Sequence, residues 1–163
     1  MTGIRTVLVP VDFQRHTDTL AAYAFDMATR LGARAIVVHV LTAVEYRSAY
    51  DSSTFEDFEA KNRQAAEERM AAFREHWRGN GWEGDARLLR GEAADAIVDC
   101  ARDMAVDLII MATHGSKGLE RILLGSVADR VLKRAPCPVL LFNPYRSKHL
   151  HRAGRGGGHN PPA

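Results

Sequence analysis

A parallel sheet covered by helices on both faces, in the α/β manner, follows from three features of this chain. Short apolar runs alternate strictly with longer segments of helical periodicity. One of those runs, Asp107-Leu-Ile-Ile-Met111, is apolar throughout after its first residue, as a strand buried on both sides must be. That run opens directly into a glycine-bearing loop, Ala112-Thr-His-Gly115 continuing to Gly125-Ser126, and then into a helix pattern. Parallel sheets build phosphate sites from this order of strand, loop and helix, because loop and helix-start N–H groups face an anion.

The elements follow in order. Ile4–Val11 is apolar and β-branched and makes the first strand. Pro10 has no ladder donor and is admissible there near the strand end. Thr17 or Asp18 is placed to cap the next helix, in which Leu20, Ala24, Ala28 and Leu31 recur at helical spacing and Gly32 is the stop. Ala35–Leu41 is the second strand. A polar loop runs from Thr42 to about Thr54, and Phe58, Met70, Phe73 and Trp77 mark one stripe of a long second helix that Gly79-Asn-Gly81 ends. Asp85–Arg90 is the third strand. Gly91 turns the chain into a third helix, with Ile97, Cys100, Ala101 and Met104 on one face. Asp107–Ala112 is the fourth strand, Val127, Val131 and Ala135 mark the buried side of the fourth helix, and Pro138–Phe142 is the fifth strand. Trp77 and Trp82 read as core or rim anchors. Such alternation implies right-handed crossovers and a ligand at the carboxyl ends of the strands, where strand order reverses.

The chain has 163 residues, which suits one domain with a sizeable core. We place that domain at 1–144 and read 145–163 as a disordered tail, since RSKHLHRAGRGGGHNPPA is almost without apolar residues. Four of the 22 basic residues, Arg146, Lys148, Arg152 and Arg155, sit in that tail without an acid, leaving 18 basic against 20 acidic residues elsewhere. No basic face for nucleic acid is expected. Cys100 and Cys137 make neither a disulfide framework nor a metal spacing. No run is long enough to span a membrane, the apolar start is too short for a signal peptide, and a cytoplasmic location is expected.

The glycine loop carries the chemistry. Gly115 alone reads as a turn glycine, but a second glycine and a hydroxyl recur at Gly125-Ser126, where the next helix begins. Ser126 has two competing uses, capping its own helix or bonding a phosphate oxygen. Asp12, at the end of a central strand, either starts the turn Asp-Phe-Gln or faces a nucleotide, bonding ribose or holding a divalent ion between phosphates. Lys117 and Arg121 fit phosphate neutralisation or simple solvation. His114 has no carboxylate or nucleophile paired with it by sequence and reads as a loop histidine. His149, His151 and His159 resemble a metal tract that a flexible tail does not need. There is no GxxxxGK[ST] loop and no base beside Ser126 to activate water, so binding with at most slow hydrolysis is expected, without dedicated catalysis.

Four segments together resemble the universal stress protein family: Val9-Pro-Val-Asp12, Val37-Val-His-Val40, the glycine loop, and Pro136-Cys-Pro-Val-Leu-Leu141. The resemblance covers residues 4 to about 143. ATP-binding members carry G-x2-G-x9-G-[S/T]; here Gly115, Gly125, Ser126 and the nine-residue spacer fit, and Ala112 replaces the first glycine. The resemblance implies strand order 3-2-1-4-5 in a five-stranded Rossmann-like sheet, and backbone contact from Val40 to adenine. It also implies a homodimer paired through strand 5. The expected nucleotide-binding residues are Pro10, Val11, Asp12, Val40, Met111, Ala112, His114, Gly115, Lys117, Arg121, Gly125, Ser126 and Val127, with Mg or Mn at Asp12. The expected function is ATP binding in stress-response regulation, read out by a regulatory protein partner. The alternatives are a nucleotide-independent dimeric interaction module, which Ala112 keeps open, and an ATP-using enzyme, which the absence of glycine from Val9-Pro-Val-Asp-Phe13 counts against.

Overall fold

Alternation of apolar side chains between two directions decides which runs become the sheet. A computed structural model describes residues 3–42, 52–113 and 124–144, with 52–54 as backbone only. In β1 (Thr6–Pro10), Val7 and Val9 point to one face and Leu8 to the other, and all three are 0% exposed. β2 (Arg34–Leu41) divides Ala35 and Val37 from Ile36 and Val38 in the same way. β4 (Leu108–Ala112) divides Ile110 from Ile109 and Met111. A parallel strand covered on both faces has no polar side to show, and these three central strands have almost none.

α1 (Thr17–Leu31) and α2 (Ser52–Arg78) cover the first face with Leu20, Ala24, Phe25, Met70 and Phe73. α3 (Ala93–Asp103) and α4 (Ser126–Arg134) cover the second with Ile97, Val98, Ala101, Ala128 and Val131. β3 (Asp85–Arg90) and β5 (Val139–Phe142) are the edges. The strand order is β3-β2-β1-β4-β5, and every pairing is parallel. This is the expected five-stranded Rossmann-like fold, with the order reversing between β1 and β4. At the amino ends, Asp107 Oδ2 accepts the N–H groups of Arg5 and Thr6 at 2.9 Å each, pinning the start of β4 to β1. Those two bonds hold the Asp107 carboxyl below its ordinary value.

Helix ends follow local chemistry. Gly32 takes φ 63°, and Ala33 N–H returns to the Ala28 carbonyl at 2.8 Å, closing α1 in a left-handed turn. α3 closes by the same bond, Val106 N–H to the Ala101 carbonyl at 2.9 Å, but with Ala105 at φ 47°. A methyl there costs about 1–2 kcal/mol.

Several expectations need correction. Ile4, Val11, Asp107 and Pro138 lie just outside the strands. Neither Thr17 nor Asp18 caps α1; the helix starts at Thr17, its N-cap is His16 with no side-chain cap bond, and the Thr17 N–H donates to the Gln14 carbonyl at 3.0 Å. Phe58 is 48% exposed, since twelve residues before Met70 is about 120° round the helix from it. Phe55 and Ala66 fill that stripe instead. Leu31, at the same helical spacing as the buried Leu20, Ala24 and Ala28, is 41% exposed at the end of α1. Trp82 is buried, stacked on Phe25 at 4.8 Å and 8°, while Trp77 meets the Phe25 ring edge-on at 5.1 Å. The loop 43–51, the loop 114–123 and the tail 145–163 lie outside the described residues.

Candidate functional site

Every parallel strand delivers its next segment at the same end of the sheet. Where β1 and β4 diverge towards helices on opposite faces, those segments leave a gap. A cleft of about 520 Å³ fills that gap. Pro10 enters it from the end of β1 with Val11 and Asp12 just after, Val40 from β2, Met111 and Ala112 from β4, and Gly125, Ser126 and Val127 from the start of α4. All are residues the sequence singled out. His114, Gly115, Lys117 and Arg121 lie outside the described residues, as do His149, His151 and His159.

The β4 side is anchored at both ends of its loop. Thr113 N–H donates to the Phe142 carbonyl at 2.9 Å, and Gly125 N–H donates to the Thr113 carbonyl at 2.8 Å. Gly125 is the N-cap of α4 with φ −62° and ψ 150°, and no side chain caps that helix. Ser126 is thus its first residue and not its cap, which removes one of the two uses weighed for its hydroxyl. An α-helix leaves its first N–H groups without intrahelical partners and carries partial positive charge there. At α4 these groups belong to Ser126, Val127 and Ala128, all of which line the cleft. α3 differs: Glu92 caps it by accepting Asp95 N–H at 3.0 Å, and Arg130 of α4 pairs with Glu92 at 2.8 Å.

Ala112 has ordinary backbone geometry. Among the described non-glycine residues, φ is positive at Phe13 and Ala105, and Ala112 pairs in register with Phe142 as a regular strand residue. A glycine is therefore not required by conformation at this position.

Across the cleft, Asp12 is exposed, and its Oδ1 accepts Gln14 N–H at 2.9 Å and the Thr17 hydroxyl at 3.4 Å. The turn use of Asp12 is thus real, and it leaves the carboxylate on the cleft wall. The turn places Phe13 at φ 56°, a conformation that costs a bulky residue about 1–2 kcal/mol. No group of three or more His, Cys, Asp or Glu able to hold a metal occurs among the described residues. A single carboxylate is nonetheless what Mg²⁺ takes when substrate phosphates and water fill its other positions.

Sequence reasoning missed His39, Thr17, Leu20, Ala93, Ile97 and Ala128, which also line the cleft. His39 stood inside the Val37-Val-His-Val40 segment, but no pattern marked it. Ala93 and Ile97 carry no local signal for the cleft, because α3 reaches it by packing against β2, distant in sequence.

Residues 3–143 match the family model described as Universal stress protein family. A universal stress protein of Thermus aquaticus is 36% identical over 137 residues, covering 84% of this chain and 97% of that one. The solved universal stress protein UspA of Lactobacillus plantarum superposes with a TM-score of 0.76 at 20% identity, over 88% of this chain and all of that one. A universal stress protein of Archaeoglobus fulgidus, solved in complex with dAMP, gives a TM-score of 0.57 at 24% identity over 86% of this chain and 98% of that one.

Proposed function

Because this chain belongs to the universal stress protein family, we propose that it is an ATP-binding regulatory protein of the stress response. One observation carries the reading. Residues from β1, β2, β4 and α4, far apart in sequence, share a single cleft of about 520 Å³, a size that suits a small-molecule cofactor. Its two halves differ in chemistry. Val40, partly exposed on β2, offers an apolar wall for a flat base, and the uncapped start of α4 offers N–H groups for phosphates. Ser126 adds a hydroxyl at the phosphate end. Asp12 would hold Mg²⁺, or Mn²⁺, against phosphate oxygens, since a bare carboxylate facing a triphosphate needs a cation between them. A protein of the same fold holds dAMP. We read turnover as slow at most, with the bound nucleotide acting as a signal.

The assembly we propose is a homodimer joined along β5. This strand is an edge, and Val139-Leu-Leu-Phe142 carries no charge. Such an edge invites pairing. The Pro138 and Phe142 carbonyls bond back to β4 through Ile109 and Thr113, so the main-chain groups of Val139 and Leu141 face outward by alternation.

Native mass spectrometry of gently purified protein, followed by calorimetric titration with Mg-ATP, tests the reading. Bound ATP and saturable heat are expected. A chain that carries and takes up no nucleotide under either condition is instead a nucleotide-independent interaction module.

A further inference from the structure

Building on the nucleotide reading of this cleft, we propose that His39 is a positioning residue that holds the Val11–Gln14 turn in its strained form and so sets the cleft wall. Val11 N–H donates to the Val38 carbonyl at 2.8 Å, and the Val11 carbonyl accepts a bond from His39 Nδ1 at 2.8 Å. One side chain thus completes, with the main chain beside it, a two-point grip on the last residue before Asp12. The same imidazole lies 4.7 Å from the Phe13 ring, which also meets Phe73 at 6.1 Å. Phe13 is the residue forced to φ 56°. A strained conformation persists only where its surroundings over-determine it, and here the grip on Val11 and the tilted ring contact with Phe13 both come from His39.

The chemistry fixes the tautomer. A carbonyl only accepts, so Nδ1 carries the proton. The neutral and the protonated ring both keep that N–H, so the grip does not depend on the charge of His39. Asparagine can present an amide N–H where Nδ1 stands, whereas the glutamine amide reaches the place of Nε2. The two amides therefore differ in outcome, which generic loss of a ring would not produce.

The experiment uses the full chain in two arms. Without ligand, 15N shifts report the His39 tautomer, and the intraresidue HN–Hα NOE of Phe13, strong only at positive φ, reports the sign of its φ. Wild type and His39→Asn keep the positive φ; His39→Gln loses it. In the second arm, Mg-ATP affinity follows: His39→Asn stays near wild type, and His39→Gln falls about tenfold, the worth of one buried hydrogen bond. In a Phe13→Gly background the glutamine change costs little, because glycine takes that φ unaided. This background also decides the matter where His39→Gln alone fails to fold. The inference is overturned if His39→Gln keeps both the Phe13 geometry and wild-type affinity, or if His39→Asn loses as much as His39→Gln. A wild type that binds no nucleotide defeats the nucleotide reading, and the ligand-free arm still decides what His39 holds.

Discussion

Replacing Ala112 by glycine tests both the strand geometry and the cleft, because the two respond with separate signs. Ala112 sits in regular register opposite Phe142, is half-buried, and packs against the α1–α2 core. Glycine in a strand costs roughly 0.5–1 kcal/mol against alanine. A fully buried methyl contributes about 0.8 kcal/mol, so a half-buried one contributes about 0.4. The variant is thus less stable by about 1–1.5 kcal/mol, which lowers Tm by about 2–6 °C in a domain of this size. Had the position required a left-handed backbone, glycine would instead relieve about 1–2 kcal/mol and Tm would rise. Differential scanning calorimetry reads the sign directly. In titration with Mg-ATP, wild type and Ala112→Gly differ by at most about tenfold, or ~1.4 kcal/mol, since a methyl at an ordinary φ neither strains the strand nor fills the cleft. A Tm that rises refutes the backbone argument. A wild type that binds nothing, with binding restored in Ala112→Gly, refutes the cleft argument and shows that this methyl closes the site.

Gly125→Val should abolish ATP binding in the same titration while helical content by circular dichroism stays near wild type, because Gly125 already has φ −62°, which valine accepts. Leu141→Pro should shift sedimentation from dimer to monomer without unfolding the chain. It removes an N–H that faces away from β4 on an edge strand, where a proline is tolerated. Ala105→Gly should raise Tm by a few degrees, a gain of about 0.5–1 kcal/mol once the extra unfolded-state freedom of glycine is subtracted. Asp107 has a folded-state pKa lowered from its ordinary 3.8 by the Arg5 and Thr6 N–H groups. Its contribution is therefore complete above about pH 4 and is lost as pH falls through the folded value. Thermal melts of Asp107→Asn should lack that part of the acid-side decline, and an identical slope in both proteins would show that these bonds do not discriminate the charged form.

The order of elements and the parallel sheet were legible in the chain because they rest on local periodicities, whereas the expected cleft residues rested on the resemblance to the universal stress protein family. Val7, Leu8 and Val9 alternate by two, α3 repeats its apolar face by the helical turn, and Gly32 and Gly91 stand where the backbone takes φ 63° and 126°. Where periodicity met a long polar helix it misled: Phe58 is apolar yet points outward, since it lies about 120° round α2 from Met70. The partners of particular side chains were not legible, because hydrogen bonds such as Asp107 to Arg5 join residues 102 positions apart. The same holds within the cleft. Sequence left Ser126 between capping and ligand binding, and packing assigned the cap to Gly125. It left Asp12 between turn and cleft, and one geometry serves both. His39 gave no signal at all, for its importance lies in a carbonyl 28 residues away. Periodicity records which face a residue shows; only folding brings distant polar groups within the 3 Å that chemistry needs.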